Sequence, residues 1–287
     1  MNPLLLIVLA TAAFAADSSR TESPVLGYVY ERGELLAMLG VPGASTWSDA
    51  IALPDSVSSL VVAPGHRWAL ATTGRGPAVL RFDTMSCTAL AAGPVDAAVF
   101  SPTGAAVAIR QGDVARVYTG LPTRALAQGE FDVAAFDALA VSDDGVLAGA
   151  QGSAVMTLDA SGAKLRYRGS AAGPFGFFPA SRSLVILDGA KLIESSEGEV
   201  RVIADGLDAA QVLLAGDVVT LASRDAARVW RVQRQTGAVA AIEVPDVTRL
   251  EPMRINGLLL LAAEAGQPAW LLTNEGVGFT PAKGREQ

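Results

Sequence analysis

A short apolar run followed by a tight turn recurs six times along this chain, and the recurrence constrains the fold more than any single motif does. The ten-residue windows SSLVVAPGHR, DAAVFSPTGA, DALAVSDDGV, GPFGFFPASR, DAAQVLLAGD and RLEPMRINGL align without gaps. They end at Arg67, Ala105, Val146, Arg182, Asp217 and Leu258, with 38, 41, 36, 35 and 41 residues between successive ends. A second apolar run follows each window: WALATT, AVAIR, LAGAQ, SLVIL, VVTLA and LLLLAA. Two more strand-like segments joined by a polar or glycine turn complete the unit, as in VMTLDASGAKLRY (Val155–Tyr167) and KLIESSEGEVRVI (Lys191–Ile203). Four short strands per repeat at this period are the arithmetic of a β-propeller blade. No stretch keeps a 3.6-residue apolar period over helical length, which argues against alternating strands and helices.

The expected fold is therefore all-β: a single propeller domain over residues 25–281, made of six four-stranded repeats. The runs are nearly continuous in apolar residues rather than alternating, as in strands covered on both faces. With 51% apolar and 18% charged residues, the chain has enough apolar side chain for such a core. Ahead of the first repeat, VLGYVYERGELLAML (Val25–Leu39) reads as two strands around an Arg-Gly turn. This hairpin is expected to close the ring at the seam, because an open ring exposes unpaired strand edges. The blade count is then six to seven. Residues 282–287 read as a disordered tail.

Residues 1–15 read as a signal peptide. The apolar run Leu4–Ala15 is too short to span a bilayer, which takes about 20 residues of helix, and it ends in the small-x-small pattern Ala13-Phe14-Ala15. A short linker, 16–24, follows. The expectation is export to the periplasm or beyond, with an uncleaved anchor as the alternative; no later segment has spanning length. Cys87 is the one cysteine and makes no internal disulfide. The 22 Lys and Arg residues against 29 acidic ones give a net charge of -7, a surface that repels phosphate backbones. Nucleic acid is not an expected partner.

The segments FSPTG (Phe100–Gly104), VSDDG (Val141–Gly145) and the Thr236-Gly237 turn resemble those of WD-repeat and YVTN-type propellers, including the quinoprotein-like exported propellers of bacteria. The resemblance covers roughly Val25 to Pro281. No repeat carries a closing Trp-Asp pair, and Trp47, Trp68, Trp230 and Trp270 fall at unequal repeat positions rather than forming a ring that would dock a quinone. No cofactor is implied. In related propellers the leading window position opens the innermost strand beside the loops of the face that usually binds ligands. Here that position holds Ser58, Asp96, Asp137, Gly173, Asp208 and Arg249, and the loops between second and third strands would add Arg75, Arg110 and Arg224.

Chemical motifs are sparse. His66 is the one histidine, and no Gly-x-Ser-x-Gly elbow accompanies it; it reads as an exposed turn residue on the rim. The glycine-bearing turns match neither a phosphate loop nor a calcium loop. SRDAARVWRVQR (Ser223–Arg234) gathers four arginines and reads as a solvated blade edge. The functional expectation is a monomeric, non-enzymatic binding or scaffolding module for a protein or peptide, with Asp96, Asp137, Asp208, Arg249, Arg75, Arg110 and Arg224 at the channel mouth. Either those aspartates face a partner, or each bonds its own loop's N–H groups. The alternative function is a lactonase-like propeller hydrolase with a carboxylate-bound metal at the mouth.

Overall fold

The computed structural model describes residues 23–159, 161–170, 172–223, 228–244, 249–254, 259–262, 269–273 and 277–280. The signal-peptide segment, the tail and Arg224 lie outside them. All regular structure among the described residues is β-strand. The first sheet is β1 (Val25–Glu31), β2 (Glu34–Val41) and β3 (Ala44–Trp47). Blade 1 is β4 (Val57–Val62), β5 (Trp68–Thr73), β6 (Gly76–Arg81) and β7 (Ser86–Ala89). Blade 2 is β8 (Ala97–Phe100), β9 (Ala106–Gln111), β10 (Val114–Thr119) and β11 (Leu126–Asp132). Blade 3 is β12 (Ala138–Val141), β13 (Leu147–Gln151), β14 (Ala154–Asp159) and β15 (Gly162–Arg168). Blade 4 is β16 (Ala172–Phe177), β17 (Leu184–Asp188), β18 (Lys191–Ser196) and β19 (Glu199–Ala204). Blade 5 is β20 (Ala209–Ala215), β21 (Val218–Ser223), β22 (Arg228–Gln233) and β23 (Val239–Glu243). Blade 6 is β24 (Arg249–Pro252), β25 (Leu259–Ala262), β26 (Ala269–Leu272) and β27 (Val277–Thr280).

Every sheet is an antiparallel meander in chain order, so the chain is a β-propeller of six four-stranded blades with the three-stranded first sheet set among them. Each of the six sequence windows falls on the first strand of a blade, and the first five also cover the turn that follows it. Second and third strands carry the apolar runs and are buried, as in β5, β9, β13 and β17, whereas fourth strands such as β11 and β15 are largely exposed. The reason is geometric: inner strands meet neighbouring sheets on both faces, and outer strands splay apart.

The core is a set of seams. Seven apolar clusters occur among the described residues, one between each pair of neighbouring sheets. Between blades 4 and 5, for example, Phe178, Leu187 and Leu192 pack with Val219, Leu221 and Val232. Each such side chain, fully buried, contributes on the order of 1.5–3 kcal/mol. The first sheet packs on blade 1 through Leu35, Tyr28 and Ile51 and on blade 6 through Leu26, Val29 and Met38, which meet Met253 and Leu271. The ring is thereby closed. The element expected as a hairpin has a third strand, β3, and remains a sheet of its own; its main chain reaches blade 6 through the Arg254 N–H donating to the Leu26 carbonyl (2.9 Å).

His66 departs from the expectation of a rim residue. It is 4% exposed and sits where the first sheet, blade 1 and blade 6 meet. The Tyr28 N–H donates to its Nδ1 at 2.8 Å, and its Nε2 donates to the Pro252 carbonyl. Its φ is +51°, and the ninth window position in three other blades is Gly104 (+72°), Gly145 (+89°) or Gly216 (+62°). A left-handed backbone costs a non-glycine residue roughly 1–3 kcal/mol. Two hydrogen bonds across the seam offset that cost.

Two of the four arginines of Ser223–Arg234 also depart from expectation, while Arg228 is exposed as expected and pairs with Glu243 (3.0 Å). Arg234 is 22% exposed; it stacks on the Phe178 ring (4.0 Å) and pairs with Glu194 of blade 4. Arg231 donates to the Thr273 carbonyl of blade 6 at 3.0 Å, and burial lowers its pKa. The two reach opposite neighbours, Arg234 towards blade 4 and Arg231 towards blade 6, because both faces of a blade meet another blade rather than water.

Candidate binding surfaces

Of the residues chosen from the sequence, Asp96, Asp137 and Asp208 occupy equivalent places, each immediately before the first strand of its blade. Asp96 and Asp137 each precede the first strand of a blade and are exposed. Asp96 Oδ2 accepts from the Gly112 N–H at 2.5 Å, and Asp137 Oδ2 from the Gly152 N–H at 3.3 Å, each in the turn between its blade's second and third strands. Those two carboxylates hold local backbone. Arg110 stands between them: its Nε donates to the Gly112 carbonyl (3.0 Å), and its other donor reaches the Phe136 carbonyl beside Asp137 (3.1 Å). Asp208 is exposed and also has a partner. Arg75 is exposed in the β5–β6 turn, its N–H donating to Thr73 Oγ1 (3.2 Å). Arg249 opens β24 opposite Ala262.

Asp188, at the end of β17, anchors differently, bonding the outer strand of blade 3 and the loop after it. It accepts from the Tyr167 hydroxyl (2.7 Å), Ser170 Oγ (2.7 Å) and the Ser170 N–H (3.2 Å). Burial and the neighbouring carboxylate push the Tyr167 phenol up to about 12. Of the charges chosen from the sequence, Asp96, Asp137 and Arg110 are thus engaged with loop backbone.

A different surface is concave. A groove of about 780 Å³ runs between the outer strand of blade 2, β11, and the third and fourth strands of blade 3. Phe131, Phe136, Val146 and Leu158 supply apolar wall. The rim is charged and partly paired: Glu130 with Arg116 (2.7 Å), and Asp144 with Arg182 (2.7 Å), while Asp132, Asp159, Lys164 and Glu197 also line it. Arg166 lies deeper. Its guanidinium donates to the carbonyls of Arg182 (3.2 Å) and Ser195 (3.3 Å), while its Nε is buried with no hydrogen-bond partner among the described residues. Along the groove β11 is the outermost strand of its sheet, so one edge of its backbone faces away from the ladder. None of the residues chosen from the sequence lines this groove. The one sequence signal is the pair of aromatics in EFDVAAFD, set on an outer strand and the loop after it, where other blades carry few.

No family model and no curated protein matches the chain. Solved structures match its shape. PorZ of Porphyromonas gingivalis, a bacterial surface component of the type-IX secretion system, aligns with a TM-score of 0.57 at 13% identity over 93% of this chain; the chain spans 39% of the length of PorZ. A functionally unknown protein from Desulfotomaculum acetoxidans aligns at 0.56 and 11% identity, covering 91% of this chain and 100% of that one. A chain of the mitotic checkpoint complex aligns at 0.51 and 13% identity, covering 99% and 90%. At these identities the likeness is one of fold.

Proposed function

We propose that this propeller is an exported binding or scaffolding module that holds an extended segment of a protein partner. The observation that carries the reading is the groove beside β11. It combines apolar wall, a charged and partly paired rim and a strand edge whose N–H and C=O groups can receive an added strand. Two structurally similar chains come from structures named for assemblies, a secretion-system surface component and the mitotic checkpoint complex, and the same use of the fold is proposed here. The hydrolase alternative requires a carboxylate-held metal; among the described residues no group of three His, Cys, Asp or Glu side chains is placed to hold one. No helix among the described residues is long and apolar enough to cross a membrane.

The test is selection of random decapeptides against the full chain, followed by titration of the selected peptides into ¹⁵N-labelled protein. The expected result is amide shifts concentrated at Gly129–Asp132 and affinity at least tenfold weaker for Phe131→Asp. Peptides indifferent to that substitution would overturn the groove. Export has its own test: protein recovered from the cell envelope is expected to begin at Ala16 or within a residue or two. Intact Met1 in a cytoplasmic fraction would overturn it.

A further inference from the structure

Of the seven seams in the ring, six are bridged by the polypeptide itself, since each sheet runs directly into the next. The seventh, between the first sheet and blade 6, joins the two ends of the fold and has no peptide link across it. Among the described residues it is held by the cluster of Leu26, Val29, Met38, Met253 and Leu271 with Trp47 packed on it, by contact of β3 with β27, by the bond from Arg254 N–H to the Leu26 carbonyl, and by His66. His66 belongs to blade 1, yet its ring bonds Tyr28 of the first sheet on one side and Pro252 of blade 6 on the other. The packing there is close: a Cβ on Gly27 would lie 2.5 Å from Met253 Cε and 3.1 Å from His66 Nδ1.

Both partners of the imidazole are backbone groups, one a donor and one an acceptor, so their roles cannot exchange. Nδ1 must keep a lone pair for the Tyr28 N–H, and Nε2 must carry the proton given to Pro252. Only the neutral ring satisfies both. A second proton would sit on Nδ1 and point at another donor.

We propose that His66 is an acid-released latch whose protonation parts the first sheet from blade 6 and opens the ring at its one unlinked seam. The ionisable groups on the elements around the ring are Tyr28, Tyr30 and Glu31 on β1, Arg67 beside the histidine, Arg249 and Glu251 on β24 and Arg254 just after it. Arg254 is the one whose charge bears on the imidazole, and its like sign acts in the same direction as burial. Burial, followed by Arg254, holds the His66 pKa below its ordinary 6.5, against the two backbone bonds that raise it. The unfolded or opened state therefore binds the proton more readily. The latch is closed above about pH 6.5 and weakens as pH falls through the lowered value.

The experiment is hydrogen exchange on the full chain in a series of pH steps from pH 7.5 down through the His66 titration, corrected for the intrinsic effect of pH. The expected result is at least a tenfold greater loss of protection for segments in Val25–Glu31 and Glu251–Arg254 than for Ala138–Gln151 in blade 3. His66 is the sole histidine, so its ring proton resonance titrates without overlap, and its midpoint is expected to coincide with that loss. His66→Gln offers an acceptor and a donor but does not titrate, and is expected to flatten the difference between segments. A uniform loss across all blades, midpoints that disagree, or an unchanged difference in His66→Gln would overturn the latch. If His66→Gln fails to fold, the coincidence of the two wild-type midpoints decides.

Discussion

Asp143 shows how a single carboxylate ties blades together. It lies in the β12–β13 turn and accepts from Thr103 N–H (3.1 Å) and Thr103 Oγ1 (2.7 Å) of blade 2, and from Ala180 N–H (2.9 Å) of blade 4. Three turns from three blades meet at one side chain. Asp143→Ala is expected to lower unfolding free energy by about 1–3 kcal/mol, because it leaves donors unpaired between blades. Asp96→Ala, which removes one exposed local bond, is expected to cost about 1 kcal/mol or less. Urea midpoints of the two variants check the order, and equal midpoints would contradict it. Glu194 is the buried counterpart: its side chain is 6% exposed and pairs with Arg201 (2.6 Å) and Arg234. Burial alone would raise its pKa, but the two arginines outweigh burial and lower it below 4.5. Its ionised form thus adds stability that is present above that ordinary value and lost as pH falls through the lowered one. Glu194→Gln is expected to remove this part of the acid sensitivity and to cost about 3 kcal/mol at pH 7, since it leaves two partly buried guanidinium groups poorly matched. Thermal melts from pH 3 to 7 read both effects. A window marked the turn that holds Asp143, and Glu194 lies on the third strand of its blade, yet the partners of neither in other blades were legible, because those bonds cross between blades.

At the scale of the element, the turns after the first strands of blades 1 to 4 pack on one another. Gly104 has φ +72°, and a Cβ there would lie 2.3 Å from the Pro64 carbonyl oxygen of the preceding blade. Gly112, at φ +62°, has open space around the same position. Both substitutions to alanine carry the left-handed penalty of about 1 kcal/mol, and Gly104→Ala adds a backbone collision. Gly104→Ala is therefore expected to be the more destabilising by at least about 1 kcal/mol in chemical denaturation, and parity would refute the close approach. Strand positions were legible because each inner run is apolar and bounded by a turn residue. The four-residue strand β3, ASTW, was not, since it is half polar and carries no apolar run. Outer strands gave a weaker signal for the same reason: β19 alternates exposed Val200 and Val202 with charged residues.

For the whole molecule, closure is the property on which stability turns. Removing residues 25–47 would uncover the faces of Leu60, Leu80 and Phe82 on blade 1 and of Met253 and Leu271 on blade 6. The truncated chain is expected to lose at least about 4 kcal/mol of unfolding free energy. A melting curve superimposable on that of the full chain would mean that the first sheet contributes nothing to closure.

The order and spacing of the strands, the number of four-stranded blades and the turns between first and second strands were all determined by local pattern, because a blade is built from consecutive strands and tight turns. The roles of His66, Asp143, Glu194 and Arg234 were decided only by the tertiary structure. Each acts on a residue in another sheet, 37 to 186 positions away for the bonds from His66, Asp143 and Glu194 to neighbouring blades. The groove beside β11 is likewise a product of how two finished blades splay, and no stretch of either blade contains it. Local sequence sets the repeat, whereas ring closure sets which repeat positions become neighbours, and burial at those meetings turns a turn histidine into part of the seam.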